Sequence, residues 1–285
     1  MACKLSLDIH NFLMNRSKVP VVMYHAILAT DTDLEINIAH ITSEAFEKQM
    51  AWLHTNGYLT ISIDEMLKNV EASASKKSIV LTFDDGYLSL LKLATPILQK
   101  YGFKATLFLT SEISEGNLME KREIYYPNND RALTWAEVKE LHNLGWDIQA
   151  HGANHLKHNS LNRPELYQEM NNCKSAIKNQ LKKSPVYYSF PFGRYNSLCL
   201  KMLGELNFSA GFSVHQGLVS KRSDVRRLPR VAINRLDTMK TFQNKILTGH
   251  INTKTKLKAG LIYQLYKNTY LKDFFKSIKD RLISN

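Results

Sequence analysis

Short apolar runs of β type alternate along this chain with amphipathic helical stretches, and that alternation constrains the fold more than any other feature. VPVVMYH (19–25), SIVLTFDD (78–85), KATLFLT (104–110), WDIQAHG (146–152), VYYSFPFG (186–193), FSAGFSV (208–214) and RRLPRVAIN (226–234) read as strands. Between them, segments such as TSEAFEKQMAWLHTNGY (42–58) and TWAEVKELHNLG (134–145) carry N-capping residues, apolar positions at helical spacing and a terminating glycine. A longer amphipathic helix is expected from about Pro164 to Lys183. About seven such units, without a GxGxxG or Walker-type loop, favour a closed or nearly closed parallel barrel over an open nucleotide-binding sheet. The expected class is therefore α/β, as an irregular (β/α)7-type barrel. At 285 residues, with 44% hydrophobic and 22% charged residues, the chain is long enough to bury such a core.

The net charge of +12 is unevenly spread. Residues 240–285 contribute +8 of it, leaving about +4 for the preceding 239 residues. The body is thus not a basic nucleic-acid-binding surface. Within 254–285 apolar residues recur at helical spacing with lysines between them, the pattern of an amphipathic basic helix. Such a helix suits peripheral contact with an anionic membrane, or packing on the barrel. The expected organisation is a lead-in (1–18), a barrel domain (19–236) and a basic helical extension (237–285). Cys3, Cys173 and Cys199 show neither a disulfide framework nor a CxxC metal pattern. No apolar stretch has the length of a membrane span, and the N-terminal stretch carries no signal-type apolar core, so the expected location is cytoplasmic, either free or peripheral at the inner face of the membrane.

Functional groups of parallel α/β folds collect at the carboxyl ends of strands. Four clusters fall there: His25, the Asp84-Asp85 pair, His151 with His155, and Pro191-Phe192-Gly193. Adjacent buried carboxylates repel, which asks for a cation and a division of roles. Four residues apart, His151 and His155 would face one side on a helical turn and chelate one ion; alone, they read equally as a hydrogen-bonded or surface pair. The run is not HExxH, because Gly152 follows the first histidine. One aspartate and two histidines form a facial set with open positions, and the other aspartate can then accept a proton. Taken alone, the Asp-Asp-Gly sequence would suit a turn.

TFDDG, the HxxxH pair and PFG together resemble the first three motifs of the polysaccharide deacetylases, the NodB-homology domains of carbohydrate esterase family 4. The likeness extends over roughly Val19 to Asn234. VPVVMYH, FEKQMAWLHTNGY, KATLFL, LTW and LPRVAI resemble the branch that de-N-acetylates poly-N-acetylglucosamine. The resemblance implies an irregular (β/α) barrel and metal-dependent removal of acetate from an N-acetylated glycan or glycolipid, lipopolysaccharide included. Carried over by position, Asp84 is the general base and Asp85, His151 and His155 hold one divalent ion. Zinc suits that donor set, and nickel, cobalt or iron can also occupy it. A backbone N–H near Phe192 would stabilise the oxyanion, and His25 would protonate the leaving amine, with His215 as a rival. Trp135 and Tyr195 are candidates to line a sugar groove or simply to pack, and His158 is expected at the surface or behind the ligands. Two positions depart from the pattern: Gly152 replaces Ser or Thr, and Ser189 stands where many members carry an arginine that partners the base. Other readings of the same residues are a small amide or imide hydrolase and a non-catalytic carbohydrate-binding relic.

Overall fold

The computed structural model describes residues 17–30, 37–112, 124, 127 and 130–250. Seven strands close into a parallel barrel: β1 (Val21–Tyr24), β2 (Ser78–Asp85), β3 (Thr106–Leu109), β4 (Asp147–Ala150), β5 (Tyr187–Ser189), β6 (Ala210–Gln216) and β7 (Leu228–Ala232). Each pairs with its sequence neighbour, and β7 returns to β1 through Val231 opposite Val22. The expected barrel is therefore present, and two features make it irregular. β4 and β5 share one bridge, Ala150 with Tyr188. Beside it the buried Gln149 side chain accepts the N–H groups of Val186 and Tyr187, each at 2.9 Å. The register of β6 against β7 also shifts between Phe212 and Gln216.

Helices α1 (Ser43–Thr55), α2 (Ile63–Lys68), α3 (Val70–Ser75), α4 (Thr95–Lys100), α5 (Trp135–Asn143), α6 (Arg163–Leu181), α7 (Ser197–Glu205) and α8 (Met239–Thr248) surround the strands. Their starts follow from capping chemistry. Thr42 caps α1, and Ser62, Thr134 and Asn162 form capping boxes with Glu65, Glu137 and Glu165. Each cap contributes about 1 kcal/mol.

Strand alternation divides the core in two. Val21, Val80, Phe108, Tyr187, Phe212 and Leu228 pack together inside the barrel. Val22, Leu81, Phe83, Leu107, Ile148 and Val231 pack outward against the helices. Asp84 shares the inward face of Val80 and Thr82, so its carboxylate enters the barrel at its C-terminal end.

The compact unit ends at Gly249. The segment 237–249, assigned to the extension from sequence, lies within this unit. Phe242 is buried edge-on to Trp52, and the buried Lys245 donates to Asp237 at 2.5 Å. The amphipathic pattern at 254–285 and Cys3 lie outside the described residues; Cys173 and Cys199 are buried free thiols. Among the described residues no helix is long and apolar enough to cross a membrane.

Candidate metal centre and its surroundings

The two carboxylates of TFDDG diverge because the backbone changes region between them. Asp84 precedes the last residue of the strand, and that last residue, Asp85, takes φ +77°. Gly86 follows at φ +102°, where a Cβ would stand 2.7 Å from Leu109 Cδ1. His155 and Phe192 are also left-handed, both at φ +56°. Three of the six non-glycine residues with positive φ among the described residues thus meet at this end of the barrel. Each such conformation costs on the order of 1–3 kcal/mol and persists only where its surroundings enforce it.

Asp85, His151 and His155 bring three ligand atoms within 4.8 Å of one another, all buried. Asp85 Oδ1 lies 3.4 Å from His151 Nε2 and 3.3 Å from His155 Nε2. His151 Nδ1 donates to the Ser189 carbonyl at 2.8 Å, which turns the Nε2 lone pair toward Asp85. Asp85 Oδ1 has no hydrogen-bond partner although it is buried. An orphaned carboxylate oxygen facing two imidazole nitrogens fits a divalent cation, and the N,N,O donor set suits zinc. The expected helical turn for the histidine pair is not formed. His151 follows β4, and the loop after it carries His155, whose left-handed backbone brings the second ring within 5.0 Å of the first.

Asp84 has a different partner. Arg230, inside the barrel on β7 and fully buried, forks onto it with Nη1 to Oδ1 and Nη2 to Oδ2, both 2.7 Å. The remaining guanidinium donors reach Thr82 Oγ1, Ser189 Oγ and the Ser213 carbonyl, so all five are used. Burial favours the protonated form of Asp84, but Arg230 and His151 outweigh it and hold the carboxyl below its ordinary range. Asp85 is likewise held low: His155 and His151 overcome its desolvation. Burial opposes charge on His151, yet Asp84 and Asp85 raise its pKa; desolvation dominates at His155 and lowers it to about 4.

Ser189, which stands where an arginine was expected, therefore does not leave Asp84 alone. Ser189 Oγ accepts from Arg230 Nη2 at 2.8 Å, so the guanidinium reaches Asp84 from β7 with Ser189 as a neighbour. Sequence reading placed LPRVAI on a strand and missed this role. The available signal was parity, since Arg230 alternates onto the face of Leu228 and Ala232.

A cavity of about 230 Å³ opens above this set, lined by His25, Asp84, Asp85, His151, His155 and Phe192 among others. Of the two histidines considered as acid, His25 lines the cavity; His215 is exposed and meets Tyr195 OH at 3.4 Å. Phe192 packs on His155 with ring centroids 4.4 Å apart, at the centre of the Pro191–Gly193 turn. Tyr195 packs at a tilt on Phe190, ring centroids 5.2 Å apart, and Trp135 opens α5; both pack partly buried on the core, outside the cavity lining. His158 is fully buried, not superficial: its Nε2 accepts from Tyr188 OH at 2.6 Å and its Nδ1 donates to the Leu156 carbonyl at 2.7 Å.

Comparison with known proteins places this arrangement. Residues 71–211 match the family model described as polysaccharide deacetylase. A Bacillus subtilis (strain 168) protein, YxkH, whose name assigns it to the polysaccharide deacetylases, is 30% identical over 220 residues, covering 76% of this chain and 72% of its own. The poly-beta-1,6-N-acetyl-D-glucosamine N-deacetylase of Staphylococcus epidermidis is 25% identical over 244 residues, covering 81% and 78%. Among solved structures, the Streptococcus pyogenes deacetylase PplD in complex with acetate superposes with a TM-score of 0.69 at 26% identity, covering 82% of this chain and 98% of that one. With the closed barrel and the motif residues gathered at its C-terminal end, these matches establish that the chain belongs to the polysaccharide deacetylase family.

Proposed function

We propose that this protein is a metal-dependent de-N-acetylase that releases acetate from an N-acetylated amino sugar of a polysaccharide or lipid-linked glycan. One observation carries the reading: a single cavity holds the orphaned Asp85 Oδ1 between two imidazole nitrogens, with an ionised Asp84 beside it. Asp85, His151 and His155 would hold the ion. A divalent ion bound there supplies Lewis-acid activation of water and of the acetamide carbonyl.

The chain's own residues account for the rest. Asp84, kept ionised by Arg230, takes a proton from the attacking water as its oxygen bonds to the acetamide carbon. Two N–H groups of the 191–194 turn are committed, Gly193 to Phe190 O and Arg194 to Pro191 O, so the oxyanion is assigned to the Phe192 N–H. His25 donates a proton to the nitrogen as the C–N bond breaks, giving acetate and a free amine. The substrate class follows the staphylococcal relative, whose name specifies poly-β-1,6-N-acetyl-D-glucosamine. The basic, amphipathic pattern of 254–285 supports a membrane-associated form of that substrate.

Incubation of zinc- or cobalt-loaded protein with N-acetylglucosamine oligosaccharides, with an acetate assay, tests the proposal. Acetate release that is lost in Asp84→Asn is expected. Hydrolysis of small cyclic imides with no release from any N-acetylated sugar would replace this reading with the small-amide one.

A further inference from the structure

The loop between the two histidine ligands is held by a residue on a helix behind it. In α6, Glu169 lies on the buried stripe with Leu166, Met170, Cys173 and Ile177, and is only 3% exposed. Its Oε1 accepts the N–H of Asn154 at 2.7 Å and of Leu156 at 3.4 Å, on either side of His155. Its Oε2 accepts Asn154 Nδ2 at 3.0 Å, and its main-chain carbonyl accepts the N–H of Ala153 at 3.0 Å. One residue thus accepts three backbone donors, at 153, 154 and 156, around a ligand whose own backbone is left-handed.

Gly152 makes room for this carboxylate. At φ +87°, a Cβ on residue 152 would stand 2.8 Å from Glu169 Oε1 and 3.3 Å from Tyr188 OH. A Cβ at this position would force Glu169 Oε1 to shift. The Tyr188–His158–Leu156 hydrogen bonds fix the far end of the same segment.

We infer that Glu169 is the positioning residue of the metal centre: its carboxylate, admitted by Gly152, holds the 152–156 loop so that His155 Nε2 meets Asp85. The inference rests on the proposed metal role of His155. It assigns to Glu169 reach rather than charge, because its bonds go to neutral amides.

Two conservative variants separate these properties, and they are preferable to Glu169→Ala, which would strand several N–H groups and risks misfolding. Glu169→Asp keeps the charge and withdraws the oxygens by one methylene. Glu169→Gln keeps the reach, and its amide can still accept from Asn154 and Leu156. The measurement is Co²⁺ affinity and the visible ligand-field spectrum of each natively folded variant. Glu169→Asp should weaken Co²⁺ binding by about 10- to 100-fold and alter the spectrum, as loss of a group orienting a metal ligand does. Glu169→Gln should stay within about threefold of wild type on the same scale. Wild-type affinity and spectrum in both variants would overturn the inference while leaving the deacetylase proposal standing. So would loss in Gln with retention in Asp, which would mean charge and not reach. A wild-type protein that binds no Co²⁺ would remove both.

Discussion

Replacing Arg230 with Met should convert Asp84 from a base into an acid. The change removes both 2.7 Å bonds to Asp84 and leaves it, 2% exposed, with Ser189 Oγ at 3.4 Å and His151 Nε2 at 3.9 Å. Removing one partner of a buried ion pair costs about 3–5 kcal/mol. At about 1.4 kcal/mol per decade, that is a bias of about 10²- to 10⁴-fold toward protonated Asp84. In the wild type the depressed Asp84 contributes stability above about pH 3.9, lost as the pH falls through its folded pKa. In Arg230→Met the sign reverses: the folded chain keeps a proton that the unfolded chain releases, so stability falls as pH rises. Urea unfolding from pH 4 to 8 should show stability falling with rising pH relative to wild type, and the acid limb of acetate release should move to higher pH. Activity near pH 7 should drop by about 10²-fold or more. Moving the guanidinium, as Ser189→Arg with Arg230→Ala, should recover part of it, since Ser189 Oγ touches both Arg230 and Asp84. An Arg230→Met protein with an unmoved acid limb and a rate within threefold would refute the argument.

Two further predictions concern stability. Burial lowers the pKa of His158 to about 3, against an ordinary value near 6.5, so between these limits the unfolded chain binds a proton that the folded chain does not. Stability should fall on acidification across that window by about 1.4 kcal/mol per pH unit from this residue, and His158→Gln should lower the slope by one proton; equal slopes would contradict this. Gly86→Ala places a methyl 2.7 Å from Leu109 Cδ1 at φ +102°, so its urea midpoint should fall by an amount equivalent to about 1–3 kcal/mol, and an unchanged midpoint would contradict the strain assigned there.

What the sequence revealed was whatever depends on local order. Runs such as SIVLTFDD show their strand, and TSEAF and TWAE their caps, because period and capping are properties of neighbouring residues. Seven alternating units suffice to suggest closure, and the motif residues fall at strand ends because they follow apolar runs. Arg230 was hidden because its partner Asp84 lies 146 positions away and only barrel closure, which sets β7 beside β1, brings Arg230 within reach of β2. The loop conformation at His155 was hidden for a related reason. HxxxH spacing is compatible with a helical turn, and what selects the left-handed alternative is a carboxylate fourteen residues later on α6. Its trace in the sequence is a glutamate on an apolar stripe, paired with a glycine where Ser or Thr is usual.

The division of labour within Asp84-Asp85 is tested by one paired measurement: zinc content and acetate release of Asp84→Asn and Asp85→Ala on the same N-acetylglucosamine oligosaccharide. Asp84→Asn should retain about one zinc per chain and release no acetate, whereas Asp85→Ala should lose both. Wild-type acetate release from Asp84→Asn, or full zinc retention in Asp85→Ala, would contradict it.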